Sequence, residues 1–128
     1  MSEDTSQVEG LLLVDKPTGP TSHDIVNVVR RVSGIRRVGH TGTLDPLASG
    51  LMIICLGRAT RLAEYVSSQP KSYRATIRLG QETDSFDSEG AVLWEKEVSF
   101  SIEELNHALN SFRGDIIQKP PLFSACSE

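Results

Sequence analysis

The chain has 128 residues, of which 38% are hydrophobic and 23% charged, as expected for one modest globular domain. Its longest apolar run, residues 51–56, is far shorter than the roughly 20 residues that a membrane helix needs. Residues 1–9 carry three acids and no base, which does not fit a signal peptide. We therefore expect a cytoplasmic protein with a flexible segment over residues 1–9.

The net charge of −4 is distributed unevenly along the chain. Residues 25–63 contain six arginines and a single acid, Asp45, so this stretch carries a charge of +5. From residue 82 onward there are ten acids and three bases. Such asymmetry is typical of a basic face that binds a polyanion. The alternative is that the arginines lie on solvated helix faces and have acidic partners elsewhere in the fold.

The two cysteines, Cys55 and Cys126, form neither a C-x-x-C pair nor a zinc-binding spacing. We expect both to be free thiols, with Cys55 packed as a small hydrophobic residue in an apolar run. The sequence contains no cofactor motif, and we expect neither a cofactor nor a metal.

The first elements are indicated by an apolar run and a helical pattern. Residues 10–14 predict a strand, and residues 16–20, with two prolines and a glycine, predict a turn. Thr21 or Ser22 then caps a helix that ends at Gly34. Its apolar positions follow the spacing i, i+3, i+4 and i+7, at Ile25, Val28, Val29 and Val32.

The middle of the chain alternates loops with short regular elements. Glycines and a proline predict a loop over residues 39–50, followed by a buried strand over 51–56. Residues 58–67 predict a helix. Residues 72–79 alternate between apolar and polar side chains, which predicts a half-buried strand.

The last third of the chain predicts an acidic turn over 81–90, a strand over 91–98 and a helix. Ser101 and Glu104 form the capping box of that helix. The elements do not alternate strictly as strand, helix, strand. We therefore expect an α+β fold, with a mainly antiparallel mixed sheet and flanking helices.

The loop over residues 39–50, G-H-T-G-T-L-D-P-L-A-S-G, carries the most chemical information. Asp45 is its only acid, and Pro46 suits the first position of a short helix. Asp45 is thus either a helix N-cap or a reactive carboxylate. A Walker-type phosphate loop would need a G-K-[ST] ending, and a metal site would need more ligands than His40 and Asp45.

This loop resembles the catalytic motif of the TruB-type tRNA pseudouridine synthases, and four further stretches are similar to motifs of that family. They are residues 12–22 (L-L-V-D-K-P-T-G-P-T-S), 71–80 (K-S-Y-R to L-G), 83–90 (T-D-S-F-D-S-E-G) and 112–125 (F-R-G, Q-K-P-P and S-A). The resemblance covers residues 10–125. It implies a pseudouridine synthase catalytic domain, of which residues 10–128 would be the N-terminal part.

The resemblance implies an enzyme that isomerises a specific uridine of tRNA, in the T-loop, to pseudouridine without a cofactor. We expect the protein to be a monomer. Asp45 would be the catalytic carboxylate, acting either as a nucleophile or as the base that removes a sugar proton. Tyr73 would stack on the flipped-out uracil, and His40 would contact the RNA near the vacated stack. The alternatives are a core tyrosine on a strand and a loop histidine bonded to backbone.

Lys16, Arg36 and Arg37 are candidates for contacts with RNA phosphates. Two departures from the family pattern stand near the end: Phe123 replaces a tyrosine, and residues 126–128 replace a lysine-containing continuation. The family's second half, with an arginine that pairs with the catalytic carboxylate and a C-terminal RNA-binding domain, has no counterpart here. We therefore expect these residues alone to be inactive. The alternatives are an RNA-binding or RNA-folding module without catalysis, or an inactive fragment.

Overall fold

The computed structural model forms two compact units, residues 1–72 and 73–128, of which it describes residues 8–118. Both units combine helices with antiparallel strands, which confirms the predicted α+β class. The segment at 120–125 and most of the segment over 1–9 lie outside the described residues. Within the described chain, no helix is long and apolar enough to cross a membrane.

The first unit is built on a three-stranded antiparallel sheet with the strand order β1-β3-β2. The strands are β1 (Gly10–Lys16), β2 (Val38–His40) and β3 (Gly50–Leu56). Lys16 lies opposite Gly50, and His40 lies opposite Ile54. Both strands predicted for this unit are confirmed, whereas the loop predicted over 39–50 begins as the end of β2.

Helix α1 (Ser22–Ser33) is delimited by two caps. The hydroxyl of Thr21 accepts from the amide of Asp24, whose carboxylate accepts from the amide of Thr21. Gly34 ends the helix at φ +72°, a left-handed conformation that favours glycine. Both predicted ends are confirmed, and Thr21 rather than Ser22 is the N-cap.

The core of the first unit lies between α1 and the sheet. Its buried members are Ile25, Val26, Ile35, Val38, Met52 and Ile54. The predicted apolar stripe of α1 was partly wrong, because Val28 and Val32 are 43% and 81% exposed. The packed side of the helix is centred on Ile25 and Val26 instead. Cys55 is also fully buried, and burial raises the pKa of its thiol.

The helix predicted over 58–67 consists of two short pieces, a 3₁₀ helix (Gly57–Leu62) and α2 (Ala63–Ser67). Thr60 donates its hydroxyl hydrogen bond to the carbonyl oxygen of Gly57, three residues earlier. Such local side-chain bonds compete with regular α-helical pairing, which explains why one continuous helix does not form.

The strand predicted over residues 72–79 was wrong, since these residues form no regular secondary structure and are exposed. Alternating side chains define a face, but a strand also needs a neighbour that pairs with its N–H and C=O groups. Neither sheet within residues 8–118 includes this segment.

The second unit contains a hairpin and a helix. Strands β4 (Gln81–Thr83) and β5 (Val92–Glu95) pair in antiparallel fashion around the acidic turn. Helix α3 (Ile102–Leu109) begins with the predicted capping box, in which Ser101 and Glu104 bond to each other's amides.

The acidic turn of the hairpin is organised by one carboxylate. Asp87 accepts from the hydroxyl of Ser85 at 2.7 Å and from the amides of Glu89 and Gly90 at 2.9 and 3.1 Å. These bonds, the one from Ser85 above all, hold the pKa of Asp87 below its usual range. The predicted turn is therefore a hydrogen-bonded structure rather than a loose loop.

Candidate active site

Asp45 lies in a loop between β2 and β3, which we call the Asp45 loop (residues 41–49). It is exposed, and its carbonyl accepts from the amide of Ala48 at 3.0 Å to close a single turn. No helix follows Pro46, so the predicted N-cap role is wrong. Among the described residues, the hydrogen bonds around Asp45 engage loop backbone and leave its carboxylate free to meet a ligand.

The backbone before Asp45 is bound to helix α1. The hydroxyl of Ser22 donates to the carbonyl oxygen of Leu44 at 2.9 Å and accepts from the amide of the same residue at 2.8 Å. Ser22 is 3% exposed, so water does not compete for these bonds. The sequence placed Ser22 only as a possible cap. Because Thr21 is the N-cap, the hydroxyl of Ser22 is available to bond to the loop.

The backbone after Asp45 is bound to the end of β1 and the turn that follows. The ammonium of Lys16 donates to the carbonyl oxygens of Pro17, Pro46 and Ala48 at 2.9, 3.3 and 2.7 Å. The amide of Gly19 also donates to Pro46, at 2.7 Å. The segment on this side of Asp45 is therefore fixed to two separate donors.

The placement of Lys16 corrects its predicted role as a phosphate contact. The residue is 0% exposed, and its ammonium is surrounded by three backbone acceptors. An ammonium has three N–H donors, so none remains for a phosphate. The sequence could not show this, because lysine is rarely buried.

His40 stands at the end of β2, directly before the Asp45 loop, and is partly buried. Its Nδ1 atom is buried and has no hydrogen-bond partner among residues 8–118. The following residue, Thr41, is bonded through its amide to the carbonyl of Ile53 at 3.1 Å. The sheet thus brings His40 and Asp45 to the two ends of one short, anchored segment.

Arg37 is exposed but held at one point. Its Nε donates to the hydroxyl of Thr60 at 2.7 Å, and the amide of Gly57 donates to the carbonyl of Arg37 at 2.9 Å. This leaves the terminal nitrogens of the guanidinium for another acceptor. Arg36 is exposed as well. Both remain candidates for phosphate contacts.

Two other arginines of the basic stretch are engaged within the fold. Arg30 donates to the carbonyl of Val38 at 3.0 Å, and Arg58 pairs with Glu9 at 2.5 Å. The alternative of an acidic partner therefore holds for Arg58, whereas Arg30 bonds to a neutral carbonyl and keeps an unpaired charge within residues 8–118.

Tyr73 begins the second unit and is 71% exposed. It is neither on a strand nor in a core, so the alternative of a packed core tyrosine is wrong for the described structure. Within residues 8–118, no cluster of three His, Cys, Asp or Glu side chains is placed to bind a metal.

Comparison with known proteins first defines the fold. A chain in the crystal structure of a Cbf5-Nop10-Gar1 complex superposes with a TM-score of 0.62 and 26% identity, over 95% of this chain and 32% of that one. The model of the TruB family pseudouridylate synthase N-terminal domain matches residues 30–128. The chain belongs to the TruB family of pseudouridylate synthases, as its motifs indicated.

Individual relatives agree with this family. The tRNA pseudouridine synthase B of Cronobacter sakazakii is 50% identical over 118 residues, and that of Escherichia coli O1:K1 is 48% identical over 118 residues. In both cases the match covers 92% of this chain and 38% of the relative. The chain thus spans well under half the length of these relatives.

Proposed function

We propose that the protein carrying this chain isomerises a uridine of tRNA to pseudouridine, with Asp45 as the catalytic carboxylate. The observation that carries the proposal is an exposed carboxylate on a loop whose backbone is bound on both sides, in a member of a pseudouridylate synthase family. A fixed backbone beneath a free carboxylate is what a residue needs to meet a reacting atom in a defined geometry.

The reaction moves one glycosidic bond without any redox change. The bond from N1 of uracil to C1′ breaks, the base turns, and C5 bonds to C1′. C5 then loses its proton while N1 gains one. A carboxylate serves this sequence either by attacking as a nucleophile or by removing a sugar proton. Nothing in the balance of atoms requires a cofactor.

The substrate we propose is tRNA, because the relatives are tRNA pseudouridine synthases. The position in the T-loop is what the family resemblance of the motifs implies. The uracil must leave its stack to reach a carboxylate. The family resemblance assigns stacking on that base to Tyr73, whose ring is exposed, and contact with the vacated stack to His40. Loss of tRNA binding on Tyr73→Leu, but not on Tyr73→Phe, checks the stacking role.

The remaining expectations follow from the same proposal. We place residues 10–128 in the N-terminal part of a catalytic domain, and the protein in the cytoplasm as a monomer. Arg36 and Arg37 would contact the RNA backbone and position the tRNA without reading its sequence.

The test replaces the carboxylate and leaves its surroundings intact. Asp45→Asn in the protein that carries this chain should reduce pseudouridine formation in a tRNA transcript by about a thousandfold or more, because the nucleophile or base is lost. Affinity for tRNA should stay within about threefold. Asp15→Asn, the same change at an exposed aspartate of β1, is the matched control and should leave the rate unchanged.

Two results would contradict the proposal in different ways. Residual turnover of Asp45→Asn near the control rate would remove Asp45 from the chemistry. Tight tRNA binding by the unaltered protein, without any conversion of uridine, would favour the alternative of an RNA-binding or RNA-folding module.

A further inference from the structure

We infer that Ser22 is a positioning residue for Asp45: its hydroxyl fixes the backbone directly before Asp45 and thereby sets the direction of the carboxylate. The inference rests on the proposed function, since it gives Ser22 a part in the reaction of Asp45. It concerns a residue that does not itself touch the reacting atoms.

A single hydroxyl holds both polar groups of one loop residue. Ser22 bonds to the carbonyl and to the amide of Leu44, at 2.9 and 2.8 Å. The carbonyl of Leu44 belongs to the planar peptide group that includes the nitrogen and the Cα atom of Asp45. Both peptide planes that flank Leu44 are therefore held, and the side chain of Leu44 packs against the core as well.

The anchor for these bonds is a rigid part of the first unit. Ser22 is the first residue of α1, and Ile25 and Val26 in the next turn are core residues. The helix is capped by Thr21 and Asp24, without the hydroxyl of Ser22. Removing that hydroxyl should therefore leave the capping box intact and release only the loop.

The bonds on the far side of Asp45 make the effect specific. Lys16 holds Pro46 and Ala48, and Gly19 holds Pro46, so the loop stays attached to the fold without Ser22. Without the hydroxyl of Ser22, the peptide group that precedes Asp45 loses its fixed orientation. A misplacement of about 1 Å in a reacting group can slow a reaction about a hundredfold. The rate of the chemical step should therefore fall, whereas the affinity for tRNA should not change.

The experiment compares three variants in the protein that carries this chain. Ser22→Ala removes the hydroxyl, and Ser22→Thr keeps one at the same position. Ser33→Ala is the matched control, because Ser33 lies in the same helix and donates to Val29 within it, at 2.6 Å. The measurements are the single-turnover rate of pseudouridine formation in a tRNA transcript, tRNA affinity, and hydrogen exchange at the amide of Leu44.

The expected result is a split between chemistry and binding. Ser22→Ala should slow the single-turnover rate about ten- to a hundredfold while tRNA affinity stays within about twofold. Exchange at the amide of Leu44 should become faster. Ser22→Thr should restore the rate to within about threefold of the unaltered protein, and Ser33→Ala should match it.

Three results would overturn the inference. The first is an unchanged rate for Ser22→Ala. The second is a fall in rate and affinity together, in proportion to a loss of folded protein, which would make the role purely structural. The third is an inactive Ser22→Thr whose Leu44 amide is as protected as in the unaltered protein. Failure of the proposed function is distinct, because Asp45→Asn would then remain active whatever Ser22 does.

Discussion

The two units of this chain are stabilised in different ways. The first has a buried apolar core between α1 and its sheet, and buried polar groups such as Lys16, Ser22 and Thr41. In the second, no side chain among residues 73–118 is buried. Its hairpin and helix are organised by local bonds such as those to Asp87.

This difference between the units matters for the Asp45 loop, because every group that holds the loop belongs to the first unit. Asp45 itself is exposed, but the groups that hold its loop are buried side chains and sheet residues. Packing supplies a rigid base, and buried hydrogen bonds transmit that rigidity to an exposed loop. In the second unit, hydrogen bonds between exposed residues fix only the few residues that form them.

The largest effect should follow from a cavity in the first unit. Ile54 is 0% exposed and lies in the central strand β3, so Ile54→Ala should lower the free energy of unfolding by about 2–5 kcal/mol. The matched change Leu93→Ala in β5, where the side chain is 61% exposed, should lower it by less than about 0.5 kcal/mol. Urea titration followed by circular dichroism measures both. Equal losses would show that the two units do not differ in the way described.

An intermediate effect should separate Arg36 and Arg37 from Arg58, which is also exposed but forms an ion pair with Glu9. Neutralising Arg36 and Arg37 together to glutamine should reduce the slope of log tRNA affinity against log salt by about one to two. Arg58→Gln is the control, because its charge is already paired with Glu9. Thr60→Val should weaken binding with the slope unchanged, since Arg37 keeps its charge and loses its anchor. A slope that the double variant leaves intact would assign both arginines to the solvated surface.

The smallest effect should come from pH and should be confined to the second unit. The pKa of Asp87 is depressed in the folded turn, chiefly by the hydroxyl of Ser85 and then by the amide of Glu89. Its ionised form therefore stabilises the turn above the usual carboxyl range, near pH 4, and this contribution is lost as the pH falls through the depressed value. An NMR titration of the Gly90 amide should show the turn loosening only below that range. Asp87→Asn should abolish the dependence, and a transition at an ordinary carboxyl pKa would contradict the prediction.

The elements predicted correctly are those that depend on neighbouring residues. The cap at Thr21, the stop at Gly34 and the capping box at Ser101 need only a few positions of sequence. The apolar strand over 51–56 was equally clear. The strand over 72–79 failed for the opposite reason, because pairing depends on a partner that local alternation does not supply.

The sequence could point to the candidate carboxylate of this site, but not to the groups that hold its loop. A lone acid in a glycine-rich loop, together with the family motifs, indicated Asp45. The bonds from Lys16 to Pro46 and Ala48, like those from Ser22 to Leu44, join residues 22 to 32 positions apart. No local sequence pattern reveals such bonds. Which arginines bond within the fold, as Arg30 and Arg58 do, likewise depends on tertiary contacts.

The buried thiol of Cys55 is a natural chemical probe of opening motions in the first unit. Cys55 lies in β3, pairs across the sheet with Leu11 and Gly39, and is fully enclosed, with a pKa raised by burial. Because the side chain is 0% exposed, an alkylating reagent can reach it only when the structure around the thiol opens, and the reagent then reacts with the thiolate form. The rate of mass-tag incorporation at Cys55 therefore reports how often the scaffold beneath Asp45 opens, without any RNA present.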